Sequence, residues 1–187
     1  MPTLFTPGFT PAVLLAASGI AYASVDAAPQ LPDAGSPPPM ILDRLGEHRR
    51  PITTDSEDAR RWFDQGLALM YGYNFDGAIR SFRQATVHDP NCAMAWWGIA
   101  YSGGPNQNNP GIDAPKDQWS FAAARRANEL KEYETGANRA LIEAIAHLYN
   151  FPKPEDLTEQ NQAYLDAMIE VRDRFPLDPD VAVWTAE

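Results

Sequence analysis

The sequence predicts an all-α protein built as an antiparallel helix-pair solenoid. Apolar residues recur at helical spacing through most of the chain, and no stretch alternates polar and apolar residues as a strand does. Helix-breaking residues interrupt this pattern at Asp89-Pro90, in the tract 103–115 and at Asp178-Pro179. Short helices joined by short turns pack as antiparallel neighbours. The predicted helices span 56–71, 75–88, 92–102, 116–131, 135–149 and 159–175, with another beginning near 181.

The first 55 residues differ in composition from the rest and are predicted to precede the helical domain. Residues 12–23 form a short apolar run that ends in Ala21-Tyr22-Ala23, as a secretory signal peptide does, although no Lys or Arg occurs before Arg44. We therefore predict a signal peptide over 1–23 and an exported bacterial protein, periplasmic or secreted. The alternatives are an uncleaved anchor and a misassigned start.

Residues 24–55 are predicted to be a Pro/Ala-rich linker followed by a short amphipathic lead-in, MILDRLGEHRRPI at 40–52. The helical domain then spans 56–187. Its first helix is expected to begin with a capping box, because Glu57 follows Thr54 by three residues.

A repeated unit underlies the helical pattern. Trp62 and Trp96 lie 34 residues apart, and the small residues Gly66 and Ala100 have the same offset. Within the first unit, small residues would let two helices approach closely, bulky residues would fill the space between them, and a proline would end the second helix. These positions are Trp62, Gly66, Leu69, Ala78, Phe82, Ala85 and Pro90.

This pattern resembles the tetratricopeptide repeat, with units at about 59–92, 93–131 and 135–180. Gln65, Tyr73 and Arg174 depart from it. The run DPNCAMAWWGIA with its GPN-containing loop further resembles a subfamily of exported bacterial tetratricopeptide proteins, of which this chain looks like a fragment.

The resemblance implies a non-enzymatic scaffold that binds a protein or peptide on the concave face of its helices. Trp97 would face that surface, so a Trp97→Ala change is expected to weaken binding and to leave thermal unfolding nearly unchanged. Alternatively, another part of the chain, such as residues 40–52, covers the groove. The implied groove residues are Arg60, Phe63, Leu67, Met70, Tyr71, Met94, Trp97 and Tyr101.

The tract GGPNQNNPGIDAPKD replaces the tight turn of the second unit. A long insertion at one turn of a repeat often lies on the working face. Its amides at Asn106, Asn108 and Asn109 could therefore bind a partner's backbone. Alternatively, Asn and Gly serve turn conformations with positive φ.

Composition argues against several classes of function. The formal net charge is −10 and the pI is near 4.7, which disfavours nucleic acids and anionic membrane surfaces. The single Cys92 excludes an internal disulfide and a Cys-based zinc site, and is predicted to be buried. The three histidines share no ligand spacing, so no metal or cofactor is predicted. No catalytic motif occurs, so the chain is predicted not to be an enzyme.

Two other functions stay open at this stage. The chain could be the repeat portion of a larger exported enzyme or metal-handling protein whose chemistry lies outside residues 1–187. It could also have a purely structural role in an envelope assembly, with the groove closed by its own N-terminal segment.

Overall fold

The computed structural model describes residues 40–106 and 114–186, and these ranges contain seven α-helices, one short 3-10 helix and no β-strand. The all-α prediction is confirmed for this part of the chain. The predicted signal peptide and the Pro/Ala-rich linker up to residue 39 lie outside it. The helices are α1 (Glu57–Tyr71), α2 (Phe75–His88), α3 (Ala93–Gly103), α4 (Ala114–Glu129), α5 (Gly136–Ile145), α6 (Thr158–Arg174) and α7 (Pro179–Ala186).

Each helix packs against the next one in the chain, and α3 also packs against α5. One continuous apolar core results, and it extends from Ile52, before α1, to Trp184 in α7. Among the described helices, none combines the length and apolar character that crossing a membrane requires.

Helix boundaries agree with the prediction to within two residues except at two places. The helix α5 ends at Ile145 rather than 149, and a 3-10 helix over Lys131–Tyr133 was not predicted. The predicted cap at Thr54 is wrong. The N-cap of α1 is Ser56, whose side chain accepts a hydrogen bond from the backbone N–H of Ala59. The Thr54 hydroxyl instead donates a hydrogen bond to the Asp89 carboxylate.

Phe82 of α2 explains the small residues of the neighbouring helices. Its ring is fully buried, and a Cβ atom at Gly66 of α1 or at Gly98 of α3 would come within 2.7 Å of it. Both glycines therefore permit a close approach that alanine would obstruct. The prediction for Gly66 agrees with this geometry, whereas the small residue that matters in α3 is Gly98.

Candidate functional site

Five of the eight predicted groove residues lie in the core. Each is at most 4% exposed, so none offers a surface to a partner in this structure. The expectation that Trp97 contributes to binding without contributing to stability is corrected here, because its ring is 1% exposed. The five residues are Phe63, Leu67, Met70, Met94 and Trp97.

Helix α7 covers one of these residues, Trp97, through Trp184. The ring centroid of Trp184 lies 4.6 Å from that of Trp97 and 6.0 Å from that of Tyr101. Trp184 also stacks on Tyr71, with 6.2 Å between centroids. Trp184 therefore fills the space that a partner's side chain would need in the predicted groove.

The segment 48–54, which we call the strap, completes the cover through Arg50. The Arg50 guanidinium donates to Asp180 over 2.9 Å, to Asp178 over 3.1 Å and to Asn138 over 2.8 Å. Its Cζ atom lies 5.1 Å from the ring centroid of Trp184. Arg50 is only 6% exposed, so its charge is compensated by buried partners rather than by water.

Asp180 joins the strap to α1 as well. Its Oδ1 atom lies 2.8 Å from His48 Nε2 and accepts a hydrogen bond from the Tyr71 hydroxyl. Burial, followed by this hydrogen bond to a carboxylate, raises the pKa of Tyr71. Tyr71, predicted to bind a partner, therefore already has one within the chain.

Asp178 has a second role at the start of α7. Its Oδ1 atom accepts hydrogen bonds from the backbone N–H groups of Asp180 and Val181, as an N-cap does. Burial acts to raise the pKa of Asp178. The hydrogen bonds from Arg50 and from the two backbone groups outweigh burial and lower the pKa.

Two further contacts hold the strap, and one uses the predicted groove residue Arg60. Its guanidinium donates to the carbonyl oxygens of Ile52 and Thr54. The backbone N–H of Thr53 donates to the Glu134 carboxylate over 3.0 Å. These contacts hold the strap beside residues that the sequence predicts for a groove. The cover consists of the strap and α7, whereas residues 40–47 stay exposed.

An open cavity of about 270 Å³ lies beside the covered groove. It contains two of the predicted binding residues, Tyr101 at the end of α3 and Asn106 in the tract that follows. None of the described residues that line it is charged, although the chain as a whole has a net charge of −10. Asn108 and Asn109 lie outside the described residues. The lining residues are Phe75, Tyr101, Pro105, Asn106, Leu148, Asn161, Tyr164 and Trp184.

Two hydrogen bonds connect the segments that form the walls of this cavity. In the connection between α5 and α6, the Tyr149 hydroxyl donates to the carbonyl oxygen of Ala100 in α3 over 2.7 Å. The Gln160 side chain in α6 donates to the carbonyl oxygen of Leu148 over 2.7 Å. Burial raises the pKa of Tyr149, so its hydroxyl stays protonated as a donor at neutral pH.

Sequence reasoning missed Phe75, Leu148, Asn161, Tyr164 and Trp184 in this site. They belong to α2, to the connection after α5, to α6 and to α7, and only packing brings them together. Repeat spacing relates positions within and between adjacent units, and gives no signal for such a combination.

A second depression, of about 510 Å³ and more open to solvent, lies between the strap and the α6–α7 connection. Its charged groups already have partners within the chain. His48 and Arg50 contact Asp180, Arg49 contacts Asp64, and Arg174 contacts Glu170. We therefore regard the aromatic cavity as the candidate site.

Chemically reactive groups are scarce in the described part of the chain. Cys92 is fully buried, as predicted, and burial raises the pKa of its thiol to about 12. Within 40–106 and 114–186, no three His, Cys, Asp or Glu side chains are grouped so that they could hold a metal ion.

No protein-family model matches the sequence, and neither a curated protein nor a solved structure matches the chain. The described part of the chain defines a class, that of all-α proteins made of consecutively packed helices. The resemblance to the tetratricopeptide repeat stays a prediction from the residues quoted above.

Proposed function

We propose that this chain is a tetratricopeptide-like helical scaffold, without enzymatic activity, that binds a protein or peptide partner. The observation that carries the proposal is the open cavity of about 270 Å³ that is lined by the partly exposed rings of Phe75, Tyr101 and Tyr164. Aromatic side chains in a concave site are the usual anchors of protein interfaces. The binding surface that we propose is this cavity and not the covered groove.

The chemistry of the cavity favours an uncharged ligand. A charged side chain that entered it would lose water and find no opposite charge among the described lining residues. An apolar or aromatic side chain would lose only apolar contact with water. The exposed side-chain amide of Asn161 lies at the same site and can bond to a peptide backbone.

Peptide selection against the full chain tests this proposal. Peptides selected from a displayed random library should carry an uncharged apolar or aromatic residue at a shared position. Tyr164→Ala should weaken their binding by about 30-fold, as truncation of an interface anchor does. The matched control is Tyr133→Ala, which removes a tyrosine that is 57% exposed and does not line the cavity.

Equal loss of affinity in the two variants would contradict the proposal, as would a selection that yields no binding peptide. Thermal unfolding of both variants, followed by circular dichroism, shows whether each still folds.

We also propose an exported location, on the apolar run at 12–23 and its Ala21-Tyr22-Ala23 ending. Sequencing the N-terminus of the protein recovered from an exported fraction tests it. A first residue at Ser24 would support cleavage, whereas recovery of the protein with Met1 intact would contradict it.

A further inference from the structure

We propose that a second surface, made of two open depressions that adjoin at Arg49, binds an acidic amphipathic segment of a partner protein. The larger depression, of about 510 Å³, is the one between the strap and the α6–α7 connection. The smaller one, of about 260 Å³, lies between residues 41–46 and α1. Arg49 lines both, and we call them together the arginine surface. It shares no lining residue with the aromatic cavity, so this inference does not depend on the proposed function.

Positive charge is concentrated on the arginine surface. The whole chain contains 15 Lys and Arg against 25 Asp and Glu, whereas arginines outnumber carboxylates here. Most of the lining carboxylates are already neutralised, because Asp64 pairs with Arg49 and both Asp178 and Asp180 pair with Arg50. The remaining lining carboxylate is that of Asp43. The lining arginines are Arg44, Arg49, Arg50, Arg61 and Arg174.

Three of these arginines can bind a partner. Arg44 is exposed and forms no ion pair with a carboxylate of the described residues. Arg61 is 58% exposed and lies 3.8 Å from Asp58, and Arg174 is 53% exposed and lies 3.6 Å from Glu170. Both of these carboxylates are exposed and belong to the same helix as their arginine. Such surface pairs are weak and can exchange for a better-placed carboxylate.

Exposed apolar side chains lie beside these arginines. Leu177, in the α6–α7 connection, is 95% exposed and lines the larger depression. Ile41 and Leu45 are each 37% exposed, Leu42 is 42% exposed, and all three line the smaller depression. A single exposed apolar residue is ordinary, but several that border adjoining depressions indicate an interaction surface.

A buried glutamine holds one wall of the smaller depression in place. The side-chain amide of Gln65 donates to the carbonyl oxygen of Met40 over 3.0 Å, and its oxygen accepts from the backbone N–H of Leu42 over 2.7 Å. The same amide donates to the Ser81 hydroxyl over 3.0 Å. The backbone at 40–42 is therefore attached to α1 before a partner binds, which reduces the entropy cost of binding.

The chemistry of the arginine surface favours an acidic amphipathic peptide. Guanidinium groups pair best with carboxylates, and exposed leucines gain from burial against apolar side chains. A peptide with carboxylates on one face and apolar side chains on the other satisfies both. An anionic membrane would offer the same two features, but the net charge of −10 repels it and a flat bilayer does not fill depressions.

Fluorescence anisotropy with the full chain tests the charge requirement. The probe is a labelled synthetic peptide of about 14 residues with Leu on one helical face and Glu on the other. It should bind, and a peptide with Lys in place of Glu should not. Arg61→Glu should weaken binding by about tenfold. The matched control is Arg172→Glu, which makes the same change of charge at a side chain that is 48% exposed and lines neither depression.

A second pair of variants tests the apolar requirement. Leu177→Ala should weaken binding of the Glu peptide by about fivefold, because the exposed side chain is buried in the complex. Val87→Ala removes methyl groups from a side chain that is 68% exposed and lies outside both depressions, so binding should not change. Thermal unfolding followed by circular dichroism shows that each variant folds.

Tyr164→Ala separates the arginine surface from the aromatic cavity. It should leave binding of the Glu peptide unchanged, even where it abolishes binding of an uncharged peptide. A loss as large as that of Arg61→Glu would place the acidic peptide in the aromatic cavity and contradict this inference alone.

Four other results would overturn the inference. One is the absence of binding to the Glu peptide, and another is equal binding of the Glu and Lys peptides. Equal losses in Arg61→Glu and Arg172→Glu would mean that net charge, and not this surface, attracts the peptide. Finally, the chain could cosediment with phosphatidylglycerol vesicles or associate with a second copy. If Arg61→Glu abolished either of these while the Glu peptide did not compete, the occupant would be a membrane or this chain itself.

Discussion

Trp184 of α7 lies against Trp97 of α3, with 4.6 Å between ring centroids and 48° between ring planes. The contact joins residues 87 positions apart in the sequence. It converts a residue that the repeat pattern predicts for a binding face into part of the core. Trp184 also borders the neighbouring cavity, although only 3% of it is exposed.

Trp97→Ala should lower the free energy of unfolding by about 3–5 kcal/mol, because it removes a fully buried ring and leaves a cavity. Trp96→Ala is the matched control and should cost less. The ring of Trp96 is only partly buried, and its Nε1 atom donates to the Pro90 carbonyl at an exposed site. Urea unfolding followed by circular dichroism measures both. A Trp97 variant as stable as the unaltered chain would show that the ring is not part of the core.

Gly66→Ala should destabilise the protein by about 1–3 kcal/mol through overpacking against Phe82. In an open helix the same change would stabilise by up to about 1 kcal/mol, so the sign of the effect is diagnostic. Combining it with Phe82→Leu tests the cause, since the smaller side chain leaves room for the methyl group. If Gly66→Ala costs the same in both backgrounds, contact with the Phe82 ring is not the reason.

Arg50→Ala should lower the free energy of unfolding by about 3–5 kcal/mol, because it removes the guanidinium that pairs with both Asp178 and Asp180. Arg49→Ala provides the control on the neighbouring residue. The Arg49 side chain is 54% exposed and pairs with Asp64 near the surface, so its loss should cost less than about 1 kcal/mol. Chemical denaturation of both variants measures the difference. Similar costs would mean that the strap is not held by Arg50.

Asp178→Asn should remove a pH-dependent part of the stability while keeping the cap of α7, since Asn accepts the same backbone hydrogen bonds. The folded protein lowers the pKa of Asp178 below its ordinary value of 3.8. A lowered pKa contributes stability above the unfolded pKa, and this contribution is lost as the pH falls through the folded pKa. The free energy of unfolding of the unaltered chain should therefore exceed that of the variant by the largest amount at neutral pH.

Urea unfolding at several pH values between 7 and 3 checks this expectation. The difference in free energy of unfolding should stay constant down to about pH 4 and then shrink. A difference that does not change with pH would show that the charge of Asp178 is not what stabilises this end of the protein.

Much of the architecture could be predicted from local sequence. Helical periodicity and the breaks at Asp89-Pro90 and Asp178-Pro179 located every α-helix of the described chain. The small residue at Gly66 and the bulky Phe82 were assigned to a helix contact, and the structure places them in one. These features depend on propensity and on residues one turn or one helix apart, which spacing reports directly.

The candidate site could not be predicted in the same way. Tyr101 and Asn106 were predicted as binding residues, but their neighbours Tyr164 and Trp184 come from helices more than 50 residues further on. The closure of the groove by Arg50 likewise depends on Asp178 and Asp180, more than 120 residues away. Sequence by itself determined the helices and their order, because short-range periodicity and helix breakers specify them. Only the tertiary structure decided which aromatic side chains are core and which remain open, because that depends on what packs against them.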